Sequence, residues 1–194
     1  RLFKVFRESC ENAVALGCPT LMSAPGPLQG PIRDAIEYLK RAGDIAGEFG
    51  LKLGIEFNSQ HPVLNKLSVL TELITGADKP NCGYLIDTYH FTRSGAGGRG
   101  FESVPAEQIF CFQFSDLSRN PVTAVARPTD RLPTGKGIVK WREILGLLAE
   151  KKYTGYLSYE APNPDMWARS PYDVAREGAE LMRKLIKDAV PSYA

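Results

Sequence analysis

The sequence predicts a parallel α/β fold of about five βα units. Short apolar runs alternate with amphipathic helical stretches, and this alternation is the only internal repeat. The runs read as continuous hydrophobics, as strands covered on both faces do. With 194 residues, 43% of them hydrophobic and 24% charged, the chain has material for the core of a single domain.

Each element has its own signal. In RLFKVFRESCENAVALG, residues Leu2, Phe3, Phe6, Cys10, Ala13, Val14 and Leu16 recur at helical spacing. Glu8, Glu11 and the lack of Ser-rich character favour a packed helix over a mitochondrial transit peptide. Pro19–Ala24 (PTLMSA) reads as a strand leaving through Pro25-Gly26-Pro27. A long helix starts at Pro31, with Ile32, Ile36, Leu39, Ala42, Ile45 and Phe49 on one face and Gly50 as its stop. Leu51–Phe57 is the second strand and Leu64–Thr75 the next helix. Tyr84–Thr88, Ile109–Asp116 and Tyr156–Glu160 are the remaining strands. Val104–Gln108 reads as a short helical turn, and Lys140–Lys151 and Val174–Ala189 as longer helices. Phe91–Gly100 and Leu117–Gly137 are left as long loops, which in such folds are often active-site loops.

Composition excludes several classes. Twenty-four Lys and Arg balance 22 Asp and Glu, a net charge of +2, which gives little attraction for nucleic acid or an anionic membrane. No apolar run approaches the ~18 residues of a spanning helix. Cys10, Cys18, Cys82 and Cys111 lack CxxC spacing and read as free thiols of a reducing cytoplasm.

The chemistry is expected where the strands end. LGIE, YLID, IFCFQ and LSYE finish in Glu56, Asp87, Gln113 and Glu160. In parallel βα folds the C-terminal strand ends form the functional face, so these side chains are expected to surround one divalent cation. Any single acid there could instead cap the next helix. Carboxylates that converge in a partly buried cleft repel one another, and a cation resolves that repulsion. All-oxygen ligation favours Mg²⁺ or Mn²⁺, with Co²⁺ or Zn²⁺ as further candidates. His90, just past Asp87, is a candidate ligand, acid/base or hydrogen-bond donor. His61, which precedes a proline in a loop, is the weaker histidine.

Glu56, the Asp87-Thr-Tyr-His90 motif, Gln113 with Arg119 six residues on, and GYLSYE ending at Glu160 together resemble the sugar phosphate isomerase/epimerase family of xylose-isomerase-like TIM barrels. The resemblance implies a (β/α)₈ barrel whose last four strands carry a metal set of Glu56, Asp87, Gln113 and Glu160. Many relatives place a His where this chain has Gln113. A Gln there is similar to the 3-dehydroshikimate dehydratase branch, as is the stretch Asp130-Arg131-Leu-Pro-Thr-Gly135-Lys-Gly137.

The resemblance further implies a metal-dependent isomerase or epimerase that removes a proton α to the carbonyl of a small polyhydroxylated substrate. Glu56 and Glu160 form the acid/base pair in an epimerase. His90 is the base in the alternative, a dehydratase. Arg119 and Arg131 are expected to hold substrate and Trp167 to cover it, and a homo-oligomer is allowed. A full barrel takes ~250 residues, so about three N-terminal βα units are expected to be absent and the natural protein to be longer.

Three competing readings are weaker. Gly95-Ala-Gly97-Gly98-Arg-Gly100 fits the dinucleotide GxGxxG pattern, but it does not lie directly between a strand and a crossover helix. An endonuclease-IV-like repair enzyme needs a histidine-rich zinc cluster, and the chain has two His. A non-catalytic binding domain would bind no metal.

Overall fold

The computed structural model describes residues 1–26, 30–122 and 129–190. Parts of two expected loops, at Pro27 and within Leu117–Gly137, lie outside the described residues. The strands form one sheet in the order β1 (Thr20–Ser23), β2 (Lys52–Ile55), β3 (Cys82–Asp87), β4 (Ile109–Phe114), β5 (Leu157–Tyr159). The chain forms two compact units, residues 1–85 with 107–111, and residues 86–106 with 112–194. Strands β3 and β4 contribute one end to each.

In the first unit, α1 (Leu2–Ala15) buries Cys10 and Ala13 and ends at Gly17, whose positive φ of 70° closes the helix. Its Arg7 forms a two-pronged ion pair with Glu48, at 2.6 and 3.0 Å, at the end of α2 (Ile32–Glu48). Leu39, Ile45 and Ala46 of α2 are buried, as are Leu67, Leu70, Leu73, Ile74 and Ala77 of α3 (Leu67–Ala77). β1 pairs in parallel with β2, and β2 with β3 in the register Leu53↔Cys82, Gly54↔Gly83, Ile55↔Tyr84. Every residue of β3 is buried, the pattern of a central parallel strand.

Gly83 owes its place to this crowding. A Cβ there would press on the Gln108 carbonyl oxygen and lie 2.7 Å from the Phe110 ring. Gly83→Ala is therefore expected to cost about 1–3 kcal/mol by overpacking, read as a lower urea midpoint with an unchanged slope.

The second unit begins with α4 (Thr88–Arg93), where the sequence predicts strand and then loop. Asp87 ends β3 and caps this helix, accepting from the backbone N–H groups of Tyr89 (2.8 Å) and His90 (3.0 Å). The glycine-rich stretch after α4 forms turns, with positive φ at Gly95 and Gly98, and leads to a 3-10 turn at Ala106–Gln108 rather than to a crossover helix. The end of β4 pairs in parallel with β5: Phe112↔Leu157, Gln113↔Ser158, Phe114↔Tyr159.

Phe91, Phe101, Phe112 and Tyr153 form a chain of ring contacts, with successive centroids 5.7, 6.2 and 6.3 Å apart. Helix α5 (Trp141–Glu150) buries Trp141, Ile144, Leu145, Leu147 and Leu148. The short α6 (Pro164–Trp167) precedes α7 (Pro171–Ala189), whose Gly178 packs against the Tyr159 ring. No helix among the described residues is long and apolar enough to cross a membrane.

Candidate metal centre and active site

Asp87 places its two carboxylate oxygens differently. Oδ1 is committed to the first amides of α4, while Oδ2 accepts from Arg131 Nη1 at 2.6 Å. The same Nη1 reaches Glu160 Oε2 at 3.1 Å, the Glu160 carbonyl at 3.1 Å and Ser115 Oγ at 3.4 Å. One guanidinium nitrogen thus joins the acids that end β3 and follow β5. The Asp87 and Glu160 side chains offer ligand oxygens within 4.8 Å of each other. Asp87 is fully buried at its side chain and Arg131 is 7% exposed, whereas Glu160 remains 42% exposed.

The backbone explains these positions. Glu160 N–H donates to the Phe114 carbonyl at 3.1 Å, continuing the β4–β5 ladder by one residue and fixing where the Glu160 side chain leaves. Leu132 forms an antiparallel bridge with Asp116, and Asn163 Nδ2 donates to the Arg131 carbonyl at 2.9 Å, so the main chain at Arg131 is held on both sides. Thr88 Oγ1 donates to the Ser115 carbonyl at 2.7 Å and accepts from Ser115 N–H at 3.1 Å. Gln113 and Ser115 share a strand face by the period of two, opposite to Phe112 and Phe114. Gln113 is buried, and its Oε1 has no hydrogen-bond partner among the described residues. An orphaned buried amide oxygen is the kind of hard oxygen donor that a divalent cation takes.

His90 is buried and its Nε2 lies 3.3 Å from Arg131 Nη2. Burial pushes its pKa down to about 4; Asp87 opposes that shift while Arg131 and Arg93 reinforce it. His90 is therefore neutral near pH 7, and since Arg131 can only donate, Nε2 accepts and the proton sits on Nδ1. Burial raises the Glu160 carboxyl and neighbouring Asp87 adds to this, while Arg131 pulls the other way.

The two candidate arginines behave differently. Arg131 is buried in the cluster, whereas Arg119 is exposed on the loop after β4. Trp167, on α6, is 65% exposed. Glu56 belongs to the first unit. It follows β2, its N–H donates to the Ser23 carbonyl at 2.9 Å, and it is half-buried.

Several contributors escape sequence reasoning. Tyr89 lies under the Arg131 guanidinium, with the ring centroid 4.6 Å from its central carbon, and its hydroxyl donates to Asp130 Oδ1 at 2.8 Å. Arg93 donates to the Tyr89 oxygen at 2.7 Å and to the Val122 carbonyl at 2.5 Å, and Val122 N–H donates to Asp130 Oδ2 at 2.6 Å. Asp116 is fully buried. It accepts from Leu117 N–H (2.9 Å), Gly135 N–H (2.8 Å), Val139 N–H (2.9 Å) and Trp141 Nε1 (2.8 Å). An Asp at a strand exit is a readable signal. Partners some 20 residues ahead are not.

Parallel strands that run into acids, with a buried arginine bonded to both acids and a buried histidine beside that arginine, define the class: a βα protein with a polar cluster after its strands. Residues 2–185 match the xylose isomerase-like TIM barrel family, and the chain belongs to that family. It is 27% identical over 189 residues to an inosose isomerase of Halalkalibacterium halodurans, covering 93% of this chain and 66% of that protein. The chain thus spans about two thirds of the length of that relative. It is also 27% identical over 158 residues to a 3-dehydroshikimate dehydratase of Pseudomonas aeruginosa, covering 79% of this chain and 23% of that enzyme. Among solved structures, the IolI protein with a bound zinc atom superposes with a TM-score of 0.86 at 19% identity, covering 96% of this chain and 69% of the other.

Proposed function

We propose that this chain carries the metal-binding residues of a divalent-metal-dependent isomerase or epimerase acting on a small polyhydroxylated carbonyl compound, with a keto-inositol of the inosose type as the first substrate to test. The observation that carries this reading is the meeting of Asp87, which ends β3, and Glu160, which follows β5, on one arginine nitrogen, together with the orphaned buried oxygen of Gln113. The inosose isomerase relative supports the substrate class. Glu56, the acid that follows β2 as Asp87 ends β3, completes the proposed ligand set.

A cation held there would polarise the substrate carbonyl and so acidify the adjacent C–H. Glu160 and Glu56 take and return the proton. Neutral His90 lines the site through its contact with Arg131, and Arg131 steadies a substrate oxygen.

A 3-dehydroshikimate dehydratase-like lyase is the second reading. Arg131 of the Asp130–Gly137 stretch reaches the acids while Arg119 does not, and a dehydratase is among the relatives. Turnover of inososes, ketoses and 3-dehydroshikimate with Mn²⁺, Mg²⁺, Co²⁺ or Zn²⁺ separates the two. Deuterium wash-in from D₂O without loss of water is the expected result. A rising ultraviolet absorbance from a catechol product selects the lyase. Absence of bound metal and of any metal-induced thermal shift removes both.

A further inference from the structure

We propose that Arg131 is a built-in counter-cation of the carboxylate pair, which a divalent cation must displace and which that displacement turns toward substrate. This rests on the reading above that Asp87 and Glu160 are ligands. Asp87 Oδ1 is fully used by the amides of Tyr89 and His90, so Oδ2 is the oxygen left for a cation, and Arg131 Nη1 holds it at 2.6 Å. The same nitrogen also holds Glu160 Oε2 at 3.1 Å. A guanidinium nitrogen bonded to both oxygens stands where a cation shared by them would stand, and two positive charges repel strongly when desolvated side by side.

The surroundings confine the movement to the side chain. The main chain at Arg131 is pinned by Asn163 Nδ2 and by the adjoining Asp116–Leu132 bridge. Tyr89 offers its face to the guanidinium at 4.6 Å, and the ring is itself fixed through Asp130 and Arg93. Arg131 can therefore leave the carboxylates, stay stacked on Tyr89, and present its freed N–H donors to substrate hydroxyl or carbonyl oxygens. Metal binding and preparation of the substrate site become one event, because the cation gains the carboxylates only by releasing the arginine.

The test is metal binding, not turnover. Titrations of Mn²⁺ and of Zn²⁺ into metal-free wild type, Arg131→Gln and Arg131→Lys by calorimetry should show the Gln variant binding at least about tenfold tighter. The Lys variant, which keeps a charge, should stay close to wild type. Metal-free Arg131→Gln should melt below wild type, and saturating metal should close that gap. In the wild type, spectra of ¹⁵N-arginine-labelled protein should show one guanidinium with hindered rotation, released on adding diamagnetic Zn²⁺; this readout needs no variant to fold. A Gln variant that binds no tighter than wild type, or an arginine spectrum that Zn²⁺ leaves unchanged, overturns the displacement while leaving the metal site standing. Failure of both wild type and Arg131→Gln to bind either metal overturns the proposed function along with it.

Discussion

Asp87→Asn is expected to weaken metal binding by more than about 100-fold, since losing even a residue that only supports a ligand costs about 10–100-fold. It should also destabilise the metal-free protein by about 3–5 kcal/mol, the scale for stranding one partner of a buried ion pair. The two effects come from different parts of one side chain. An Asn keeps Oδ1, so the Tyr89 and His90 amides retain their acceptor and α4 stays capped. The loss falls on Oδ2, where Arg131, only 7% exposed, faces an amide in place of a charge. The partly exposed Glu160 remains as a second partner and keeps the cost toward the lower end. Urea unfolding of the metal-free proteins reads the second effect and calorimetric titration the first. Adding Arg131→Gln to Asp87→Asn should restore part of the stability without restoring metal affinity. An Asp87→Asn protein that binds metal within a few-fold of wild type would show that the carboxylate is structural.

The second large effect is expected at Asp116, which touches neither Asp87 nor Glu160 in any described bond. Asp116→Ala removes the acceptor of four donors, the buried N–H groups of Leu117 and Val139, the buried Trp141 indole and the more exposed Gly135 N–H. At about 1–3 kcal/mol for each unsatisfied donor, and with water reaching some of them, a loss of about 4 kcal/mol is expected. That is a fall of roughly 10 °C in Tm for a chain of this size. Trp141 should report it directly by a shifted fluorescence maximum. Proteolysis should begin within the 117–139 loop, which Asp116 ties down at both ends. Unchanged stability and an unchanged Trp141 spectrum would refute this role.

What could be read from the sequence followed from local pattern. Apolar runs ending in Glu56, Asp87, Gln113 and Glu160 announced the strands and the polar residues that close them, because hydrophobic periodicity and a terminating polar side chain are visible within ten residues. Helix α4 was not visible in that way. Its six residues, TYHFTR, hold two β-branched and two aromatic side chains and too few turns for a periodic signal. The available clue was Asp87 itself, an N-cap residue at the point where the strand stops.

Arg119 and Arg131 looked alike in sequence, since both lie on a long loop after β4. What separates them is a tertiary fact: the bridge at Leu132 and the Asn163 grip turn one inward and leave the other in solvent. Trp167 illustrates the converse, an aromatic that invites a binding role yet sits largely exposed on a four-residue helix.

The paired bonds between Thr88 and Ser115 bear on how the join between β3 and α4 is held. At this point β3 has already become a helix and can no longer offer backbone groups sideways, so a threonine hydroxyl supplies both the donor and the acceptor that a neighbouring strand would have supplied. The start of α4 is thereby fastened to the residue that follows β4. The Thr88–Ser115 clasp lies outside the Leu117–Val139 loop, so the join between β3 and α4 at Asp87 does not depend on that loop for its backbone bonds.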